Sequence, residues 1–148
     1  MLIEKHTLSL LLAERLMEAA LEATTRLKLP GAIAIVDDGG HLVLLKRLDN
    51  TMFAASNIAI GKAATAVAFK RPTIELENII INGRTPMLEL NSATSQPYIP
   101  LKGGYPIEIN GEIVGGIAVA GTMDAEMDEI IVKNAIQIAQ SLRTTMVK

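Results

Sequence analysis

Ile33-Ala34-Ile35-Val36-Asp37-Asp38-Gly39-Gly40-His41-Leu42-Val43-Leu44-Leu45-Lys46-Arg47 is the stretch whose reading decides the fold. Two apolar runs flank a tight Asp-Asp-Gly-Gly turn, and glycine supplies the positive φ angles that short hairpin loops need. The stretch therefore reads as a β-hairpin, with one of the chain's two histidines directly after the turn. A second hairpin is written into Ile107-Glu108-Ile109-Asn110-Gly111-Glu112-Ile113-Val114. Asn-Gly between alternating apolar residues is the strongest short-range hairpin signal. The return strand, Ile113–Val119, carries Gly115-Gly116, where another backbone or a ligand can approach closely.

Helical patterns surround the hairpins. Thr7 is the expected N-cap of a first helix reaching Leu27, with Leu8, Leu12, Leu16, Ala19, Ala20, Ala23 and Leu27 near helical spacing. Thr51 to Phe69 reads as a second helix, with a stripe of small side chains at Ala55, Ala59, Ala63 and Ala66. Arg71-Pro72-Thr73 breaks it, and Thr73 is the expected cap of a short helix Ile74–Ile81 that ends at Asn82-Gly83. Residues 84–103 read as an irregular loop interrupted by Pro86, Pro97, Pro100 and Gly103, and long loops in compact domains commonly carry function. A last helix starts after Gly121-Thr122-Met123-Asp124 and runs to Leu142.

Hairpin connections imply a largely antiparallel sheet with helices on one or both faces. The expected architecture is an α+β domain of the profilin-like kind, with residues 1–148 forming one domain. The first and last helices are expected to pack together, Leu12, Leu16, Ala19 and Ala23 against Ile131, Ala135, Ile138 and Leu142.

Composition narrows the function. Of the residues, 49% are hydrophobic but only 3% aromatic, so the core is built from aliphatic side chains, alanine and methionine. A net charge of −2 offers no electrostatic footprint for nucleic acid or an anionic membrane surface. Cysteine is absent, which excludes disulfides, thiolate catalysis and iron–sulfur ligation. No apolar run reaches the length of a membrane span. Glu4 and Lys5 precede the first apolar stretch, which is unlike a secretory signal, and the expected address is cytoplasmic. Glu14, Glu18 and Glu22 read as a solvated helix face, with Glu22 and Arg26 as a surface pair. Ser56 has no nucleophile elbow around it, and Gly103-Gly104-Tyr105-Pro106 lacks the Lys-Ser/Thr ending of a P-loop.

Five ordered landmarks carry a resemblance: Val36-Asp37-x-Gly39-Gly40-His41-Leu42, Arg47-Leu48-Asp49, Ile58-Ala59-x-x-Lys62-Ala63-x-Thr65-Ala66, Gly103-Gly104-x-Pro106-Ile107, and Gly115-Gly116-Ile117-Ala118-Val119-Ala120-Gly121. Over nearly its whole length the chain resembles the GlcG/HbpS-like haem-binding family, which includes the C-terminal domain of PduO-type corrinoid adenosyltransferases. Leu48-Asp49-Asn50-Thr51 stands where that family commonly has Met-Asp-Gly-Ala, and Ala120 where a serine is usual. The resemblance implies a curled antiparallel sheet, a homo-oligomer that is often an octamer, and tetrapyrrole chemistry. That chemistry is haem binding, with haem degradation in some members and corrinoid as the less favoured ligand. The adenosyltransferase reaction of PduO-type proteins belongs to a separate domain of those proteins.

Against that background His41 is the first candidate iron ligand, since a neutral imidazole next to a rigid turn is well presented to a metal. Its alternative role is a turn histidine bonded to backbone. His6, ahead of the first helix, is the second candidate. Lys62 is the candidate cation for a haem propionate, with a salt bridge between protomers as its alternative. Gly103 and Gly104 are expected to line the same pocket as His41, with a simple strand-entry turn as the alternative. The function expected is binding of haem or a related tetrapyrrole, with weak haem-degrading activity. The competing reading is a non-catalytic, homo-oligomeric accessory subunit of a glycolate- or diol-utilisation system. A metal-dependent enzyme would need a convergent carboxylate–histidine site that cannot be assembled from the sequence.

Overall fold

Both glycine-centred turns form hairpins. In the computed structural model, which describes residues 1–146 and their side chains through residue 141, β1 (Ala32–Asp37) turns into β2 (Leu42–Arg47), and β3 (Gly104–Ile109) into β4 (Glu112–Ala120). The first turn closes through Asp37 N–H to the His41 carbonyl (2.8 Å) and Gly40 N–H to the Asp37 carbonyl (3.0 Å). The hairpins join through an antiparallel β1–β4 pairing, giving one four-stranded sheet in the order β2-β1-β4-β3. Around it lie α1 (Leu10–Arg26), α2 (Ala54–Phe69), α3 (Thr73–Ile81), a 3₁₀ turn (Thr85–Glu89), α4 (Leu90–Thr94) and α5 (Ala125–Met146). The expected α+β architecture with an antiparallel sheet is what forms.

The register of β1 on β4 sorts the core by residue size. Ile33 opposes Val119 and Ile35 opposes Ile117, and this large-residue face carries α1 and α5. Ala32 opposes Ala120, Ala34 opposes Ala118 and Val36 opposes Gly116, and this small-residue face carries α2. Helices therefore cover both faces at unequal distance. The α2 backbone lies so close that a Cβ at Gly116 would stand 2.6 Å from the Ala63 carbonyl oxygen. On the other face, Leu12, Leu16, Ala23, Ile131 and Ala135 are buried as the periodicity predicts, with Ala139 in the core and Ile138 half-buried. The expectation for the Leu142 side chain lies outside the described residues.

Several boundaries differ from expectation. The first helix is capped by Ser9, whose Oγ accepts from Leu12 N–H, rather than by Thr7. Leu8 N–H is already committed to the Val114 carbonyl at 3.0 Å, which holds the preceding chain extended beside β4. Leu8 also fills the space over Gly115, where a Cβ would meet it at 2.5 Å. Pro72 takes the cap position of α3, and Thr73 instead accepts from Gly104 N–H at 2.9 Å, fastening β3 to α3. Residues 84–103 are not irregular throughout, since the 3₁₀ turn and α4 lie within them. Among the described residues no helix is long and apolar enough to cross a membrane.

Gly116→Ala should cost about 1–3 kcal/mol, because the added methyl meets a helix backbone that cannot rotate away. Urea unfolding of the variant beside the parent protein measures this, and an unchanged midpoint would contradict the close α2–β4 packing.

Candidate functional site

A groove of about 700 Å³ opens on α2. Its floor includes Asn57, Gly61, Ala64 and Ala68, which helical spacing places along one strip of the helix. The strip is partly covered, since the Ile99 side chain packs over Gly61 and the turn at Gly40 lies against Ala64. One wall is the β1–β2 turn, residues 38–41, and the other is the segment 96–99. Ile99 occupies the place that a side chain at Gly61 would need, and its N–H donates to Thr65 Oγ1 at 2.8 Å. Tyr98 is held by both backbone polar groups to the Asn91 amide (2.8 and 3.0 Å) and meets Phe69 edge-on at 5.1 Å between ring centroids.

His41 lines this groove with its side chain 82% exposed. The Asp37 carboxylate organises the turn beneath it, Oδ1 accepting from Gly39 N–H and His41 N–H, both at 2.9 Å. The same oxygen lies 3.2 Å from His41 Nδ1. At the neighbouring Asp38, hydrogen bonds from Lys5 and Thr7 hold the carboxyl below its ordinary range.

Lys62, Gly103 and Gly104 do come together, but away from His41. Lys62 is 3% exposed, and its Nζ donates to the Val119 carbonyl (3.0 Å) and to Asp128 Oδ2 (3.1 Å). Asp128 in turn accepts from Thr122, and the buried Glu129 accepts from Gly103 N–H (3.2 Å) and the Tyr105 hydroxyl (2.6 Å). Burial and the Glu129 charge push the Tyr105 hydroxyl far above its ordinary value. Neither glycine has room for a side chain: a Cβ on Gly103 would stand 2.7 Å from the Val119 carbonyl oxygen and 2.9 Å from Lys62 Nζ, and one on Gly104 2.7 Å from the Lys62 carbonyl oxygen in the α2 backbone. The expectation that these three residues share the His41 pocket and offer a cation to a propionate is therefore corrected. Lys62 is an interior ion-pair member; Gly103 stands against its ammonium and the Val119 carbonyl, and Gly104 against the α2 backbone.

A family model for haem-degrading proteins of the HbpS-like kind matches residues 8–137. The chain belongs to this HbpS-like family. It is 34% identical to protein GlcG of Escherichia coli K12 over 116 residues, 78% of this chain and 83% of that protein. The structure of a PduOC:haem complex superposes with a TM-score of 0.80 at 30% identity, covering 88% of this chain and 94% of that one. A double mutant of HbpS from Streptomyces reticuli superposes with a TM-score of 0.81 at 28% identity, covering 93% and 90% of the two chains.

In this HbpS-like chain His6 lies apart from the His41 groove. It borders a second groove of about 390 Å³ with Leu8, Leu12, Ile109 and Val114. Glu112 grips it twice, Oε1 accepting from the backbone N–H (2.8 Å) and Oε2 lying 2.7 Å from Nδ1. The side-chain bond and charge of Glu112 raise the His6 imidazole above its ordinary value, and the carboxylate is lowered in return. With its carboxylate contact, His6 is a fastening for the chain ahead of α1.

The wall residues Gln96, Tyr98 and Ile99 and the floor residues Asn57 and Ala64 were not anticipated as site residues. Gly61, Ala64 and Ala68 carry a readable signal, a second small-residue stripe beside the first. For the wall no local signal exists, since Tyr98 and Ile99 are placed by partners on α4 and α2.

Lys62→Met should destabilise the fold by about 3–5 kcal/mol, because it leaves Asp128 charged and buried without its partner. The double variant Lys62→Met/Asp128→Leu should lose less than the two single changes added together. A thermodynamic cycle by chemical denaturation checks this, and strict additivity would remove the coupling.

Proposed function

We propose that the chain binds haem in the groove on α2, with the His41 imidazole as the iron ligand. One observation carries the proposal: the chain's most exposed imidazole stands on the wall of a largely apolar groove of ligand-pocket size. Haem needs apolar walls around its macrocycle and an accessible imidazole nitrogen for its iron, and the lining residues offer both. Family membership and the PduOC:haem complex support the same ligand.

The chain's own residues divide the work. Ile58, Ile60, Val67, Pro97 and Ile99 bury apolar edge and exclude water. Among the described lining residues there is no lysine or arginine, so the amides of Asn57 and Gln96 and bulk solvent are what would meet propionates. Haem, when bound, supplies redox chemistry at its iron. The open groove leaves one edge of the ligand accessible from solvent, which suits slow degradation as well as storage. Corrinoid is the alternative ligand class.

Self-association belongs to the same proposal. Phe53 (84% exposed), Met52, Met123 and Ile130 leave large apolar side chains on the surface, which a second copy of the chain would cover. Light scattering at micromolar concentration should give a mass several times that of one chain, and a monomer would count against it.

Hemin titrated into the apoprotein should produce a shifted Soret band saturating at one equivalent per chain. His41→Ala should weaken binding at least about tenfold, equivalent to ~1.4 kcal/mol, while His6→Ala leaves it nearly unchanged. If His6→Ala alone removes the band, the ligand is at the other groove; if neither variant changes it, the iron is not held by imidazole. The same titration with a corrinoid separates the two ligand classes.

A further inference from the structure

We propose that residues 84–98 form a hinged flap that opens as one body and carries part of one wall of the α2 groove with it. The flap stands on its packing alone; its part in admitting a ligand rests on the haem reading above.

The segment is tied to the molecule at its two ends and hardly at all between them. From Ile81 to Pro97 no residue is buried, and only Met87 and Leu90 are half-buried. The 3₁₀ turn lies against α3, α4 lies against the 3₁₀ turn, and neither backbone approaches another element. Among the described residues, the hydrogen bonds made by residues 85–98 all end within residues 84–98. They include Met87 N–H to the Arg84 carbonyl (3.3 Å), the Thr94 hydroxyl to the Leu90 carbonyl (2.6 Å), and the bonds between Asn91 and Tyr98. Segments with few buried apolar contacts open locally at far lower cost than the core.

The two ends suit a pivot. Gly83 sits at φ +112°, a conformation that glycine adopts without strain, and nothing lies within 4 Å of where its Cβ would stand. At the other end Ile99 stays with the body, its N–H on Thr65 Oγ1 and its side chain over Gly61.

Between these ends the flap is stiff. The Asn91 side chain accepts from Tyr98 N–H (2.8 Å) and donates to the Tyr98 carbonyl (3.0 Å), so α4 and the wall at residues 96–98 move together. One aromatic contact closes the flap, the Tyr98 ring edge-on to Phe69 of α2 at 5.1 Å. Beside it lies a cavity of about 40 Å³, between Met87 and Leu90 on the flap and Phe69 and Leu76 on the body, so the closed form is loosely packed. Gln96, Pro97 and Tyr98 line the groove. Swinging the flap away therefore widens the groove, and a ligand that touches these residues favours closure.

Methyl relaxation-dispersion NMR of the apoprotein reads opening on the microsecond-to-millisecond scale. Met87, Leu88 and Leu90 should share one exchange rate, while Ile33 and Ile117 in the core show none. Phe69 does not line the groove, and Phe69→Leu keeps an apolar side chain while removing the ring edge. That variant should raise the open population roughly three- to tenfold. A flap without exchange, exchange shared with Ile33 and Ile117, or an open population unmoved by Phe69→Leu overturns the proposal. Zinc protoporphyrin, a diamagnetic stand-in for haem, should suppress the flap exchange when bound and should associate faster with Phe69→Leu than with the parent protein. Bound porphyrin with the exchange unchanged overturns the flap's part in the groove and leaves the haem reading standing. Flap exchange in a protein that gives no Soret band with hemin defeats the haem reading and leaves the flap standing.

Discussion

The buried pair of Lys62 and Asp128 is the constraint around which the rest of the molecule is arranged. It joins α2, on the small-residue face of the sheet, to α5 on the opposite face, and it does so at the point where β3 begins. A charge that deep demands a full set of partners. The Val119 carbonyl and the Thr122 hydroxyl complete the set, and among the described residues no buried side-chain polar atom is left without a hydrogen bond. A bare residue at Gly103, just ahead of β3, is what such a link requires of the chain it passes. The same link holds α2 against the sheet, and α2 is the floor of the groove.

What could be read in advance follows the range of each interaction. The hairpins were legible because Asp-Asp-Gly-Gly and Asn-Gly act within a few residues. The closeness of α2 to the sheet was legible in its alanine stripe and in Gly116, whereas Gly115 makes room for Leu8. The destination of Lys62 was not, because Asp128 is 66 residues away and nothing around either residue names the other. Gly103 and Gly104 illustrate the ambiguity of glycine: an absent side chain signals close approach but does not say by what. The approach was expected from an anion and comes from a lysine of the same chain. The N-cap shows the same limit, since Thr7 and Ser9 are equally good caps locally and a single bond from Leu8 to Val114 decides between them.

The site divides along the same line. His41 was legible as a presented imidazole, because the turn that presents it is local. The small-residue strip at Gly61, Ala64 and Ala68 was half legible, as small residues without an evident purpose. The second wall depends on Tyr98 and Ile99 being fastened to Asn91 and Thr65, contacts made by a segment whose prolines suggest only irregularity. Fold alone would not assign a ligand here. Haem is favoured by a groove shape, an exposed donor atom and a family taken together.

The two walls come from loops 55 or more positions apart in the chain, roughly, while the floor comes from a helix whose opposite side is occupied by the sheet. Groove width is therefore set by two segments outside the ion pair, while the floor shares its helix with Lys62 and, through Val67, with the core. A lineage built on this plan can lengthen the 96–99 segment or exchange its side chains, and so change what it holds, at little cost to folding. Groove width and foldedness are thus inherited on largely separate stretches of the chain.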